Sequence, residues 1–122
     1  MGEWQYRLIR YAPDMARGER LNIGVCLFDG KRYHFRFADP WTRIRYFDPQ
    51  FDASLFADVR MDLETHANNP AYIEDRIAAF DPTFAFSDAR TVLGGQSPEQ
   101  VLAELYGRLI HMPFPDTPLF TR

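Results

Sequence analysis

Between Tyr6 and Gly30 the chain crowds Arg10, Asp14, Arg17, Glu19 and Asn22 into a stretch that otherwise carries the residues of buried strands. Guanidinium groups hold carboxylates or phosphates through planar, paired hydrogen bonds, and a neighbouring carboxylate and amide add acceptors and donors. With His34 and Arg36 from the next strand, the candidate binding set is Arg10, Arg17, Glu19, Asn22, His34 and Arg36. On one polar sheet face these six would line a groove for a phosphate or for the carboxylates of a partner. The same residues also have a structural account, in which Arg10 pairs with Glu19, Asn22 ties down a loop, Asp14 caps a turn and Gly18 and Gly24 serve backbone geometry. Exposure separates the two: a structural cluster saturates itself, whereas a site leaves donors available.

Catalytic readings have less to stand on. Glu19 and His34 have the chemistry of a base and an acid beside Arg10, as in a small nuclease, but no companion motif supports the pairing and no catalytic residue is assigned. His34, His66 and His111 are scattered singly without ligand spacing, so no metal site is expected. Gly94-Gly95 lacks the following Lys-Ser or Lys-Thr of a phosphate-binding loop, and no cofactor is expected. Cys26 reads as an inert packing group in a strand. Nucleic-acid binding is the main competitor to a protein partner, because Arg32, Arg36, Arg43 and Arg45 interleave with His34, Trp41 and Tyr46.

The 122 residues, 46% hydrophobic and 16% aromatic, suffice for a single packed domain. The net charge of −3 argues against a dedicated nucleic-acid binder. It divides unevenly: residues 1–45 hold nine Lys or Arg against five acids, and residues 46–122 hold five against twelve. A basic sheet beside acidic helices accounts for that asymmetry, and a basic binding face is the alternative. No apolar run is long enough to span a bilayer, no signal peptide is evident, and Tyr6 stands where a myristoylation signal needs Ser or Thr. A lone cysteine forbids an intrachain disulfide and suits a reducing cytoplasm.

The elements that must position these residues follow from periodicity. Trp4 to Tyr11 reads as a strand ended at Pro13-Asp14, and Leu21, Ile23, Val25 and Leu27 alternate with Asn22, Gly24 and Cys26 as a second. Asp29-Gly30 turns the chain into a third, where Tyr33, Phe35 and Phe37 alternate with His34 and Arg36. A three-residue loop, Phe28-Asp29-Gly30 with Gly30 left-handed, would set Leu21, Ile23 and Val25 opposite Phe37, Phe35 and Tyr33. The sheet would then have one aromatic and aliphatic face and one small, polar, basic face. A further strand is expected over Thr42 to Phe47. Leu55, Phe56, Val59 and Leu63 recur at helical spacing, with Asp48 or Asp52 as cap. Tyr72, Ile73, Ile77 and Phe80 follow as a shorter helix, and Thr83 to Phe86 as a short strand.

Asp88 to Gly95 is an extended loop, or an edge strand through Arg90 to Leu93 ended by Gly94-Gly95. Ser97, Pro98 and Gln100 form a capping box ahead of the stripe Val101, Leu102, Leu105, Leu109 and Ile110. From Met112 the tail is barred from helix by Pro113, Pro115 and Pro118, while Phe114 and Phe120 ask for a surface to lie on. The reading is one α+β domain over residues 1–122: an antiparallel sheet with helices mainly on one face, those near 53–67 and 97–111 sharing it.

Tyr6, Leu8, Arg10 and Tyr11, then Pro13-Asp14, Arg17-Gly18-Glu19, Asn22, Gly24-Val25 and Leu27-Phe28 resemble the signature of the bacterial domain of unknown function 3037. Phe86-Ser87, Ala89-Arg90, Val92-Leu93 and the helix with Leu102, Leu105, Tyr106, Leu109 and Ile110 resemble that family's ending. The resemblance covers about residues 4–111 and implies no activity. Family members are often encoded beside HipA-like serine/threonine kinases of toxin–antitoxin systems, so what it implies is an accessory protein with such a kinase as partner.

Overall fold

The fold was analysed in a computed structural model that describes residues 3–12, 21–38, 52–79, 84–93 and 97–110. Along these residues run β1 (Glu3–Tyr11), β2 (Leu21–Phe28), β3 (Tyr33–Phe37), α1 (Ala53–Thr65), α2 (Pro70–Ala79), β4 (Phe84–Phe86), β5 (Arg90–Leu93) and α3 (Pro98–Leu109). The expected strand over Thr42 to Phe47 and the tail from Met112 lie outside the described residues.

All strand pairs among the described residues are antiparallel, and the sheet order is β3-β2-β1-β4, with β5 also pairing β1. β4 and β5 lie end to end along the same side of β1, facing Ile9 to Tyr11 and Glu3 to Tyr6 respectively. Ser87 splices them. Its N–H donates to the Leu8 carbonyl at 2.9 Å, its hydroxyl accepts the Leu8 N–H at 2.8 Å, and its carbonyl accepts Arg7 Nη1 at 3.0 Å. A side-chain oxygen thus stands in for the ladder carbonyl that is missing where the two short strands meet.

The hairpin differs from the three-residue expectation. Phe28 pairs with Tyr33, Cys26 with Phe35 and Gly24 with Phe37, so the loop is the four residues 29–32. Asp29 holds it: its carboxylate accepts the N–H groups of Lys31 and Arg32, each at 2.9 Å, and its own N–H donates to the Arg32 carbonyl. Gly30 is left-handed as expected, at φ 96°. Phe28 and Tyr33 close the hairpin as a stacked pair with centroids 4.7 Å apart.

A bulge also interrupts the strict alternation assumed for β2. Arg10 pairs with Asn22 and Ile9 with Gly24, which leaves Ile23 as the extra residue. Past it the faces exchange, so Leu21, Ile23, Cys26 and Phe28 point to one side and Val25 and Leu27 to the other. Gly24 is needed here, because a Cβ would come 2.9 Å from the Arg36 carbonyl oxygen and 3.2 Å from Phe37 Cδ1.

Consequently both sheet faces are apolar at β2. One face carries Ile9, Tyr11, Leu21, Ile23, Phe37 and Phe84 under Phe56 and Leu63 of α1 and Ile73 of α2. The other packs Val25 and Leu27 against Val101, Leu102 and Leu105 of α3. Two of the three helices among the described residues share a face, giving an antiparallel α+β fold with helices mainly on one side. α3 is the correction: it was expected beside α1, and it covers the face expected to be small and polar, because the bulge turns Val25 and Leu27 that way.

The helix ends follow their signals. Asp52 caps α1 by accepting the N–H groups of Ser54 and Leu55, and Ser97 with Gln100 forms the capping box of α3. Pro70, which with Asn68-Asn69 marks the stop after α1, is the first residue of α2, where its missing N–H costs nothing. No helix among the described residues is long and apolar enough to cross a membrane.

Candidate functional site

Four of the six candidate binding residues are described, and their positions in the ladders put all four on the face that α3 covers. They are not gathered into one cluster. At the bulged end, Arg10 Nε donates to Asn22 Oδ1 at 3.2 Å between directly opposed, half-buried residues. At the hairpin end, His34 Nε2 meets Asp29 Oδ2 at 2.8 Å, with side chains only 11% and 15% exposed. Arg36, opposite Val25, is exposed and lies over the Tyr106 ring of α3, its Cζ 4.7 Å from the centroid. Val25 and Leu27 separate these pairs. Arg17 and Glu19 lie outside the described residues.

The electrostatics follow from these contacts. Burial works to raise the Asp29 carboxyl, but hydrogen bonds from the Arg32 N–H, the His34 ring and the Lys31 N–H outweigh it and hold the carboxyl below its ordinary value. Burial, with Cys26 and Glu74 nearby, pushes the Tyr33 hydroxyl up to about 12, so it stays a donor, 3.5 Å from Glu74 Oε2. Cys26 is fully enclosed, and burial drives its thiol far above the usual range, the setting of a packing group rather than a nucleophile.

One polar constellation was not anticipated. Asp62 of α1 accepts the Tyr72 hydroxyl at 2.6 Å on Oδ1 and Arg76 Nε at 3.2 Å on Oδ2. His66 stacks on the Tyr72 ring with centroids 3.8 Å apart. Its Nδ1 lies 2.8 Å from the Asp62 backbone carbonyl, which can only accept, so that nitrogen carries the proton. The signal was in the spacing: Asp62 and His66, and Tyr72 and Arg76, are two i,i+4 pairs on successive helices, but nothing in the sequence says that the helices face each other. The cluster clamps α1 to α2.

Two concavities are lined by described residues. One, of about 440 Å³, follows the outer flank of α1 along Ala57, Arg60, Met61, Glu64 and Thr65. The other, of about 570 Å³, runs between α3 and β5. It is floored by Tyr6, Val92, Val101 and Leu105 and edged by Glu104 and Arg108. Among the described residues no group of three or more His, Cys, Asp or Glu is placed to hold a metal ion.

No match was found among curated proteins or among solved structures. The family comparison is positive over nearly the whole chain: residues 6–110 match the model of "Protein of unknown function (DUF3037)". The chain therefore belongs to the DUF3037 family, which is identified by its sequence pattern and carries no assigned activity.

Proposed function

We propose that this chain is a cytoplasmic, non-enzymatic accessory protein that docks a protein partner, with a HipA-like kinase as the partner class implied by family association. The observation that carries the reading is the outer flank of α1. Met61 there is 67% exposed, beside a concavity edged by the Arg60–Glu64 pair at 3.4 Å. An adaptable apolar side chain surrounded by charged groups has the make-up of an interface centre and rim. Arg10, Arg17, Glu19, Asn22, His34 and Arg36 belong to this proposal as separate polar contacts, and of the four described Arg36 is the exposed one.

The test is co-purification of the tagged protein with a HipA-like kinase of its own host. Wild type is compared with a Met61→Asp variant and with an Arg10→Ala, Arg36→Ala variant, each shown to be folded. Stoichiometric kinase held by wild type and lost in the α1 variant supports the reading. Wild type that captures no kinase, or captures only nucleic acid in a steeply salt-dependent manner, overturns it.

A further inference from the structure

The outer flank of α1 has a definite relief. Ala57, Met61 and Thr65 stand at i, i+4 and i+8, so they form one row along the helix, about 12 Å long at roughly 1.5 Å rise per residue. Met61, 67% exposed, rises between two smaller side chains, and the 440 Å³ concavity is the low ground beside it. A knob with a hole on either side along an i±4 row is the surface into which the side-chain ridges of a second helix pack. An added strand would need free backbone groups, and α1 uses its own within the helix.

Charge then selects the flanks of that second helix. Residues 53–79, which hold α1 and α2, carry five acids and two arginines. Both arginines are engaged at home. Arg60 Nε lies 3.4 Å from Glu64, with its Cζ 5.5 Å from the Phe37 centroid, which draws it toward the sheet, and Arg76 Nε lies 3.2 Å from Asp62. Asp58, one turn before Met61, is exposed and has no ion-pair partner among the described residues. Glu64 stands one turn after Met61, so the exposed methionine sits between two carboxylates of which only one is paired.

We propose that the occupant of the α1 flank is a basic amphipathic helix of the protein partner, its apolar stripe over Ala57 and Met61 and a Lys or Arg opposite Asp58. The inference rests on the docking reading above and adds to it the chemistry of the segment that docks. Covering Met61 removes water from Asp58, which costs free energy unless a cation meets the carboxylate. A negative layer around the contact repels phosphate backbones and acidic helices alike, and it draws in a basic segment from a distance.

The test uses the full-length protein and the purified HipA-like kinase of its host. Association rates are measured at low and high salt, and hydrogen exchange on the kinase locates the contact. Asp58→Lys is expected to slow association about tenfold and to flatten its salt dependence, with Asp58→Asn between it and wild type. Glu99→Lys on α3, an equal change of charge at an exposed position on the other side of the sheet, should leave the rate within about twofold of wild type. The protected kinase segment is expected to be a helix with Lys or Arg beside its apolar stripe. Association that is unchanged in Asp58→Lys, or slowed as much by Glu99→Lys, overturns the basic helix, as does a protected strand or an acidic segment. Docking on α1 survives that result where Met61→Asp still loses the kinase. A kinase that does not bind wild type overturns the docking reading and this inference together.

Discussion

Asp29 carries three duties in the hairpin: it accepts two loop N–H groups, pairs with His34, and through them sets the length of the loop. Its carboxyl is depressed on folding, so its contribution is complete above the ordinary value of 3.8 and is lost as pH falls through the folded-state value. Asp29→Asn should therefore be less stable than wild type near neutral pH and should converge on it in acid. Urea midpoints measured from about pH 6 down to about pH 2 check this; a gap that stays constant with pH would mean that Asp29 acts through shape alone. His34 reads differently in the light of this pairing: a candidate ligand in the linear sequence is, in space, a partner of the loop carboxylate.

At the scale of elements, two short strands line one side of β1, and Ser87, the first of the three residues between them, ties their junction to it. Ser87→Ala would leave the Leu8 N–H, deep in the middle of β1, without its acceptor, at a cost of about 1–3 kcal/mol. Denaturant unfolding gives that cost, and accelerated exchange of the Leu8 amide would localise it. Ser87→Thr, which keeps the hydroxyl, should recover most of the loss. The bulge at Ile23 is the other decisive local feature, since one extra residue sends Val25 and Leu27 to α3 while Ile23 and Cys26 stay with α1 and α2. Gly24 permits it by letting β3 approach more closely than a side chain would allow.

Across the whole molecule, β2 is the strand buried from both sides, with Ile23, Val25, Cys26 and Leu27 at 1% exposure or less. Reaching the Cys26 sulfur requires lifting the α1 and α2 layer, which covers the larger of the two core clusters. Thiol-reagent labelling of Cys26 should thus report global unfolding, with a labelling free energy equal to that from denaturant melts. Labelling that is markedly easier would reveal that the α1 and α2 pair detaches on its own.

Much of this was legible in the linear chain because it rests on local chemistry. The strands at Glu3–Tyr11, Leu21–Phe28 and Tyr33–Phe37, the left-handed Gly30, the cap at Asp52 and the capping box at Ser97 all depend on residues within one turn or one alternation of each other. The family signature also lies in the residue order itself. Three features could not be read that way. The hairpin register depended on a side chain wrapping its own loop, the exchange of faces on a bulge between β1 and β2, and the dispersal of Arg10, His34 and Arg36 on that exchange. Each is set by which distant groups meet across the sheet, and period-two patterning carries no record of an inserted residue until the neighbouring strand shows it unpaired.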